Sequence, residues 1–148
     1  MKYFELTTEA AGSFGESVEF AGPRQERPPK VTKMAYDFES WPEDAINGWM
    51  SHYIVTKELA QALESANPPL TGFSIGEVEI TTESQFDELY GDRELPKFVW
   101  LKIEGAAGIS DFGISSKNSI VVSDRVLQII KRFPHKYLKQ DTFNLQSD

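Results

Sequence analysis

The chain of 148 residues has no cysteine and only two histidines. The lack of cysteine excludes a disulfide framework, a thiolate metal site and a cysteine nucleophile. The histidines, His52 and His135, are far apart in the sequence, and neither belongs to a spacing such as His-Glu-x-x-His that would hold zinc. We therefore expect both to be surface or packing residues, and we expect no metal and no cofactor.

A long apolar segment is also absent. No stretch approaches the roughly 18 consecutive apolar residues that a membrane-spanning helix needs. Near the N-terminus, Glu5 and Glu9 stand where a secretion signal would be apolar. Together with the lack of cysteine, these features predict a cytoplasmic protein.

Motifs for nucleophilic catalysis and nucleotide binding are missing as well. There is no Gly-x-Ser-x-Gly elbow, and the glycine pair at 105–108 lacks the Lys-Ser/Thr that completes a P-loop. The Asp-Phe-Gly sequence at 111–113 stands without the other kinase motifs and predicts a turn. Paired carboxylates leave a small carboxylate-dependent hydrolase open as an alternative. These pairs are Glu77 with Glu79, Asp87 with Glu88, and Asp92 with Glu94.

Acidic residues exceed basic residues by 23 to 15, so the net charge is −8. Affinity for phosphate depends on Lys and Arg, and this excess argues against binding to nucleic acid or to an anionic membrane. The charge is concentrated, because residues 32–100 hold 13 acids and 4 bases (net −9), whereas residues 101–148 hold 5 acids and 7 bases (net +2). Such a field favours a basic partner, although acidic cytoplasmic proteins are common without one.

The composition predicts a folded α+β protein. Apolar residues make up 40% and charged residues 26%, as in an ordinary globular chain. We expect a single domain over residues 1–148, with a mixed, mostly antiparallel sheet and two or three short helices packed on it. Residues 1–50 are expected to form N-terminal strands and a Pro/Gly-rich loop, and residues 51–148 two strand-cap-helix units around a central strand.

Two segments of the chain share one pattern. Thr56 follows a short apolar strand and is expected to cap a helix over 57–66. Ser123 follows a second such strand and is expected to cap a helix over 124–133. The two caps are 67 residues apart. This fits an internal duplication, although any short strand-to-helix junction would look similar.

Other elements follow from alternation, caps and breakers in the sequence. Strands are expected at 2–7, 17–20 (within a long connection at 9–31), 34–38, 98–101 and 141–145, and a loop at 105–118. A short helix is expected to begin at Ser40 and end at Asn47-Gly48, and a β-bulge is expected at Gly76. A capping box from Thr82 to Gln85 predicts a further helix that buries Phe86, Leu89 and Tyr90.

An aromatic residue in an acidic setting marks the candidate partner-binding surface. Trp41 stands among Glu39, Glu43 and Asp44, and tryptophan is common at the energetic centre of protein interfaces. The alternative is that Trp41 tucks into the core and staples the short helix. The predicted partner-binding residues are Asp37, Glu39, Trp41, Glu43, Asp44, Asp87, Glu88 and Asp92.

The C-terminal segment resembles a known family. Asp111-Phe112, followed by Ile120-Val121-Val122-Ser123-Asp124-Arg125-Val126, is similar to the closing motif of an immunity-protein family from bacterial polymorphic-toxin systems. In that family a last strand follows the helix, and Asp141-Thr142-Phe143-Asn144-Leu145 would be that strand. A Ser/Thr-capped helix midway along the chain is also frequent there, and Val55-Thr56-Lys57-Glu58-Leu59 resembles it.

The resemblance implies a cytoplasmic protein that is not an enzyme. Such a protein binds a cognate toxin domain, here one with a basic surface, and neutralises it by occlusion. Two alternatives from other classes stay open, namely the carboxylate-dependent hydrolase and an adaptor protein without an antagonistic role.

Overall fold

The computed structural model describes residues 1–23 and 25–147. In this part of the chain the fold is α+β, as the sequence predicts, with twelve strands and three α-helices. The helices are α1 (Lys57–Glu64), α2 (Ser84–Tyr90) and α3 (Asp124–Ile130). The strands are β1 (Tyr3–Thr7), β2 (Gly12–Phe14), β3 (Glu19–Ala21), β4 (Lys30–Phe38), β5 (Ile46–Trp49), β6 (His52–Thr56), β7 (Phe73–Gly76), β8 (Val78–Thr82), β9 (Phe98–Ile103), β10 (Phe112–Ile114), β11 (Ile120–Ser123) and β12 (Lys139–Phe143).

The strands form three sheets of four strands each. Sheet I has the order β10-β11-β1-β12, and sheet II has the order β5-β6-β9-β7. Sheet III is built on β4, which pairs with β2, β3 and β8. Among the described strands the pairing of β4 with β8 is parallel and the other pairings are antiparallel. The mixed, mostly antiparallel arrangement that the sequence predicts is confirmed. No helix among the described residues is long and apolar enough to cross a membrane.

Two hydrophobic cores lie on opposite faces of sheet II. In β6, Val55 belongs to the core that joins sheets I and II with α1 and α3, whereas Ile54 belongs to the core under sheet III and α2. The same alternation in β9 sends Leu101 to the first core and Trp100 to the second. The apolar run at 98–101 is therefore a central strand covered on both faces, as predicted.

Both predicted helix caps are present. The Thr56 hydroxyl accepts a hydrogen bond from the amide of Leu59 (3.3 Å), and the Ser123 hydroxyl accepts one from the amide of Val126 (3.4 Å). The helices begin where expected but end earlier, at Glu64 and Ile130.

The two strand-cap-helix segments belong to two units of the same topology. The central unit contains β5, β6, α1, β7 and β9, and the terminal unit contains β10, β11, α3, β12 and β1 in matching sheet positions. The register matches too, since the capping residue pairs with the first residue of β9 (Thr56 with Phe98) and of β1 (Ser123 with Tyr3). This topology supports an internal duplication, with one strand of the terminal unit supplied by the N-terminus.

Two aspartates join the units reciprocally. Asp44, just before β5, accepts hydrogen bonds from the amides of Lys136 (2.5 Å) and Tyr137 (2.8 Å), which follow α3. Asp111, just before β10, accepts one from the amide of Thr71 (2.8 Å), which follows α1. Each unit therefore holds the loop after the other unit's helix.

The predicted helix after Ser40 is wrong. This segment is irregular, and Asn47-Gly48 lies inside β5 and not at a helix end. The carboxylate of Glu9 accepts hydrogen bonds from the amides of Glu43 (3.0 Å) and Asp44 (2.9 Å), so those amides are held by a distant side chain and not by a helical turn. The β5–β6 hairpin turns at Met50 and Ser51, which have positive φ of 47° and 67°.

The β-bulge at Gly76 is also wrong. Gly76 ends β7, which pairs with β9 in sheet II, and the next strand β8 pairs with β4 in sheet III. The alternation of apolar residues shifts by one position between Ile75 and Val78 because the chain crosses there from sheet II to sheet III.

The capping box of α2 is wrong by one residue. The helix is preceded by Glu83, whose side chain makes no cap hydrogen bond. The Thr82 hydroxyl instead donates to Asp87 (2.5 Å). Phe86 is buried as predicted, but Leu89 is 65% exposed.

Other boundaries also differ from the sequence predictions, since β4 begins at Lys30 and β9 extends to Ile103. The connection at 9–31, in which Arg24 lies outside the described residues, contains two strands, β2 and β3, in place of one at 17–20. The loop at 105–118 contains β10, and the last strand is Lys139–Phe143.

Candidate partner-binding surface

The eight predicted partner-binding residues differ in how accessible they are. Asp44 is 3% exposed, and both of its oxygens accept hydrogen bonds from backbone amides. Its predicted place on an exposed surface is therefore wrong, because it holds the two units together. Asp37 and Trp41 are half-buried, and the other five are exposed, namely Glu39, Glu43, Asp87, Glu88 and Asp92.

Three carboxyl groups come together where β4 and β8 end side by side. Asp37 is paired with Thr81 across the two strands, and its carboxylate accepts a hydrogen bond from the Thr81 hydroxyl (2.6 Å). Desolvation, the negative charges of Glu39 and Asp37, and a hydrogen bond to Asp37 together raise the pKa of Glu83. None of the ion pairs in the described residues involves these three side chains. We call Asp37, Glu39 and Glu83 the acidic cluster.

Trp41 packs on α2. Its ring is stacked on that of Phe86 with centroids 5.9 Å apart and planes at 14°, and the Tyr90 ring is 5.7 Å away. Phe86 and Tyr90 lie four residues apart on one face of the helix, so both rings reach Trp41. Trp41 thus packs against α2 and the second hydrophobic core and stays half-buried. The short helix that it was expected to staple is absent from the structure.

Arg93 completes this aromatic group and is not among the residues that the sequence predicts for the surface. Its guanidinium carbon lies 3.8 Å from the centroid of the Trp41 ring and 5.8 Å from that of Tyr90. The signal available in the sequence was its isolation, because Arg93 is the one basic residue between Glu83 and Pro96.

The motif that resembles the immunity-protein family contains two buried residues, Asp111 and Ser123, that are hydrogen-bonded to each other. The Ser123 hydroxyl donates to the Asp111 carboxylate (2.7 Å) while it caps α3, and the amide and hydroxyl of Thr71 also donate to Asp111. Burial acts to raise the pKa of Asp111, but these hydrogen bonds and the nearby charge of Arg125 outweigh it and hold the pKa below its usual value. The motif residues Asp111 and Ser123 therefore have a structural role.

Neither of two surface cavities in the described part of the chain is lined by both members of a predicted carboxylate pair. A cavity of about 850 Å³ between β9 and residues 26–32, which span the start of β4, is lined by Glu26 and Glu104 and by none of the predicted pairs. Glu94 lines a second, open depression with Glu58. Among the described residues, no group of three or more His, Asp or Glu side chains is placed to hold a metal ion.

The two histidines have ordinary surroundings. His52 packs against Phe14 and its Nε2 lies 2.6 Å from the carbonyl oxygen of Pro29. Burial lowers the pKa of His52, and so favours the neutral ring. His135 is exposed beyond the end of α3.

No family model matches the chain, and no curated protein matches it.

Proposed function

We propose that this protein binds a partner protein with a basic surface and neutralises it by occlusion, as an immunity protein does with its cognate toxin domain. The observation that carries the proposal is the acidic cluster beside Trp41. Asp37, Glu39 and Glu83 lie close together without a cationic partner among the described residues. A basic partner would relieve this repulsion when it binds.

The acidic residues and Trp41 would have different parts in binding. Exposed charges such as Glu39 and Glu43 mainly raise the rate of association with a basic surface. Trp41 is half-buried and stacked on Phe86 of α2, which suits a residue that sets the rate of dissociation. The immunity class, rather than binding alone, rests on the family resemblance of the motif around Asp111 and Ser123.

The first test is to identify the neighbouring genes and to co-express this protein with a toxin-like domain that one of them encodes. We expect restored growth and a complex that can be isolated. The double variant Glu39→Lys with Glu43→Lys is then compared with the wild type by stopped-flow association. We expect association to slow by about tenfold at low salt, with a weaker dependence on salt.

The matched control is Glu64→Lys with Glu104→Lys, two exposed residues away from the acidic cluster that give the same change in net charge. An equal loss of rate in both double variants would mean that the net charge, and not this surface, steers binding. Circular dichroism verifies that each variant is folded.

Trp41→Ala tests the anchor. We expect faster dissociation, with a loss of roughly 2 kcal/mol or more of binding free energy. Leu89→Ala, at an exposed position on α2, the helix against which Trp41 packs, is the control and should leave dissociation unchanged. Unchanged dissociation of a folded Trp41→Ala variant would remove Trp41 from the interface.

A further inference from the structure

Arg93 is an exposed residue that sits on an aromatic surface. Its guanidinium carbon is 3.8 Å from the Trp41 centroid, within the range of a cation–π contact, and Tyr90 lies 5.8 Å away on a second side. Phe86 is 3% exposed and supports the Trp41 ring from the protein interior. The guanidinium therefore lies on the solvent side of the aromatic group.

No ion pair among the described residues involves Arg93, although Asp92 and Glu94 are its neighbours in the chain. The observed contacts of its guanidinium are with the two rings. Such a contact at an exposed site changes an equilibrium constant by a factor of only about two to five. Another guanidinium can therefore take the place of Arg93.

The surroundings favour a cation from outside. Glu39 and Glu43 stand two residues on either side of Trp41, and Asp92 and Glu94 flank Arg93. An indole face binds arginine well, because a guanidinium is planar and weakly hydrated, whereas a lysine ammonium is compact and strongly hydrated.

We propose that Trp41 and Tyr90 form a binding site for an arginine side chain of the partner, and that Arg93 fills this site in the free protein until it is displaced. This inference rests on the proposed function in one respect, since it takes the partner to be basic. It adds the side chain that the site selects and the internal residue that competes for it.

The test is an NMR titration of the ¹⁵N-labelled protein with two probes of equal charge, acetylated tetra-arginine amide and acetylated tetralysine amide. The three tryptophans give three indole N–H signals, and Trp41→Phe assigns the one of interest. Arg93→Ala empties the site. Lys97→Ala is the matched control, because it removes the same charge from an exposed position on the same loop.

We expect Arg93→Ala to bind tetra-arginine about two- to five-fold more tightly than the wild type does, with a shift of the Trp41 indole signal. The gain for tetralysine should be smaller. Lys97→Ala should improve the binding of both peptides by the same small factor, through net charge alone.

Three results would overturn the inference, and the third is distinguishable from the first two because it also removes the proposed basic partner. Equal gains in Arg93→Ala and Lys97→Ala for both peptides, or binding without a shift of Trp41, would reject the arginine site and leave the acidic surface standing. If neither peptide bound any variant at low salt, both the arginine site and the proposed basic partner would be rejected.

Discussion

The carboxylates of this protein are of two kinds, which differ in the groups that face them. Asp44 faces the backbone amides of Lys136 and Tyr137, whereas Glu83 faces Asp37 and Glu39. The first kind stabilises the fold, and the second kind repels its neighbours on a free surface. Sequence alone does not distinguish them, because the groups that face each carboxylate come from distant parts of the chain.

Replacing Asp44 with alanine should destabilise the fold. The change leaves the amides of Lys136 and Tyr137 without their acceptor. We expect a loss of about 1.5–3 kcal/mol in the free energy of unfolding, measured by urea denaturation. Glu43→Ala, at the exposed position next to it, should change stability by less than about 0.5 kcal/mol. Similar values for the two variants would contradict the role of Asp44.

Glu83 gives a prediction about pH. Its pKa is raised in the folded protein, so the folded state holds this proton more tightly than the unfolded chain does. The contribution to stability is fully present below the ordinary pKa of 4.5 and is lost as the pH rises through the raised value. Glu83→Gln should therefore unfold at a higher temperature than the wild type near neutral pH. Below the ordinary pKa this advantage should disappear, and an equal advantage under both conditions would refute the explanation.

The sequence predicted helices and strands correctly where local signals determine them. The caps Thr56 and Ser123 were found because a hydroxyl at a strand-to-helix junction acts within three residues. The segment after Ser40 was misread because Glu9, more than thirty residues away, binds its amides. The crossing at Gly76 and the place of Arg93 on Trp41 likewise depend on tertiary neighbours. Of the candidate site, the sequence predicted Asp37, Glu39 and Trp41, placed Asp44 wrongly on the surface, and did not indicate Glu83 or Arg93.

The two caps allow an internal comparison. Ser123 caps α3 and also donates to Asp111, whereas the described contact of the Thr56 hydroxyl is the cap alone. Thr56→Ala should cost about 0.5–2 kcal/mol, the usual value of a cap. Ser123→Ala should cost more, because Asp111 also loses a donor. Chemical denaturation of both variants measures the difference. Equal costs would show that the hydrogen bond from Ser123 to Asp111 adds nothing to the free energy of unfolding.

The molecule consists of two units that share one topology, and a further layer covers the central unit. The inserted layer is sheet III with α2, which covers the outer face of sheet II and carries the acidic cluster and Trp41. The central unit runs from β5 to β9 and is interrupted by β8 and α2 of the inserted layer, whereas the terminal unit takes β1 from the other end of the chain. The duplicated units therefore supply the scaffold, and the inserted layer supplies the candidate surface.

This arrangement predicts that the chain can be circularly permuted. Tyr3 and Phe143 are paired across β1 and β12, so the two ends of the described chain are neighbours. A short glycine-serine linker can join them, which makes the terminal unit continuous in the same order as the central one. New ends are placed between Gly22 and Pro23, both exposed. We expect this permutant to fold and to unfold cooperatively, since cuts at exposed loop positions are well tolerated.

The control permutant has the same linker and is opened between Thr56 and Lys57. That cut separates β6 from α1 and removes the cap, so it divides the central unit at the junction that both units share. Circular dichroism and urea denaturation should show a native-like permutant in the first case and a strongly destabilised one in the second. If both permutants failed, adjacency of β1 and β12 would not suffice for folding. If both folded equally well, the strand-cap-helix junction would not be the organising element of the units.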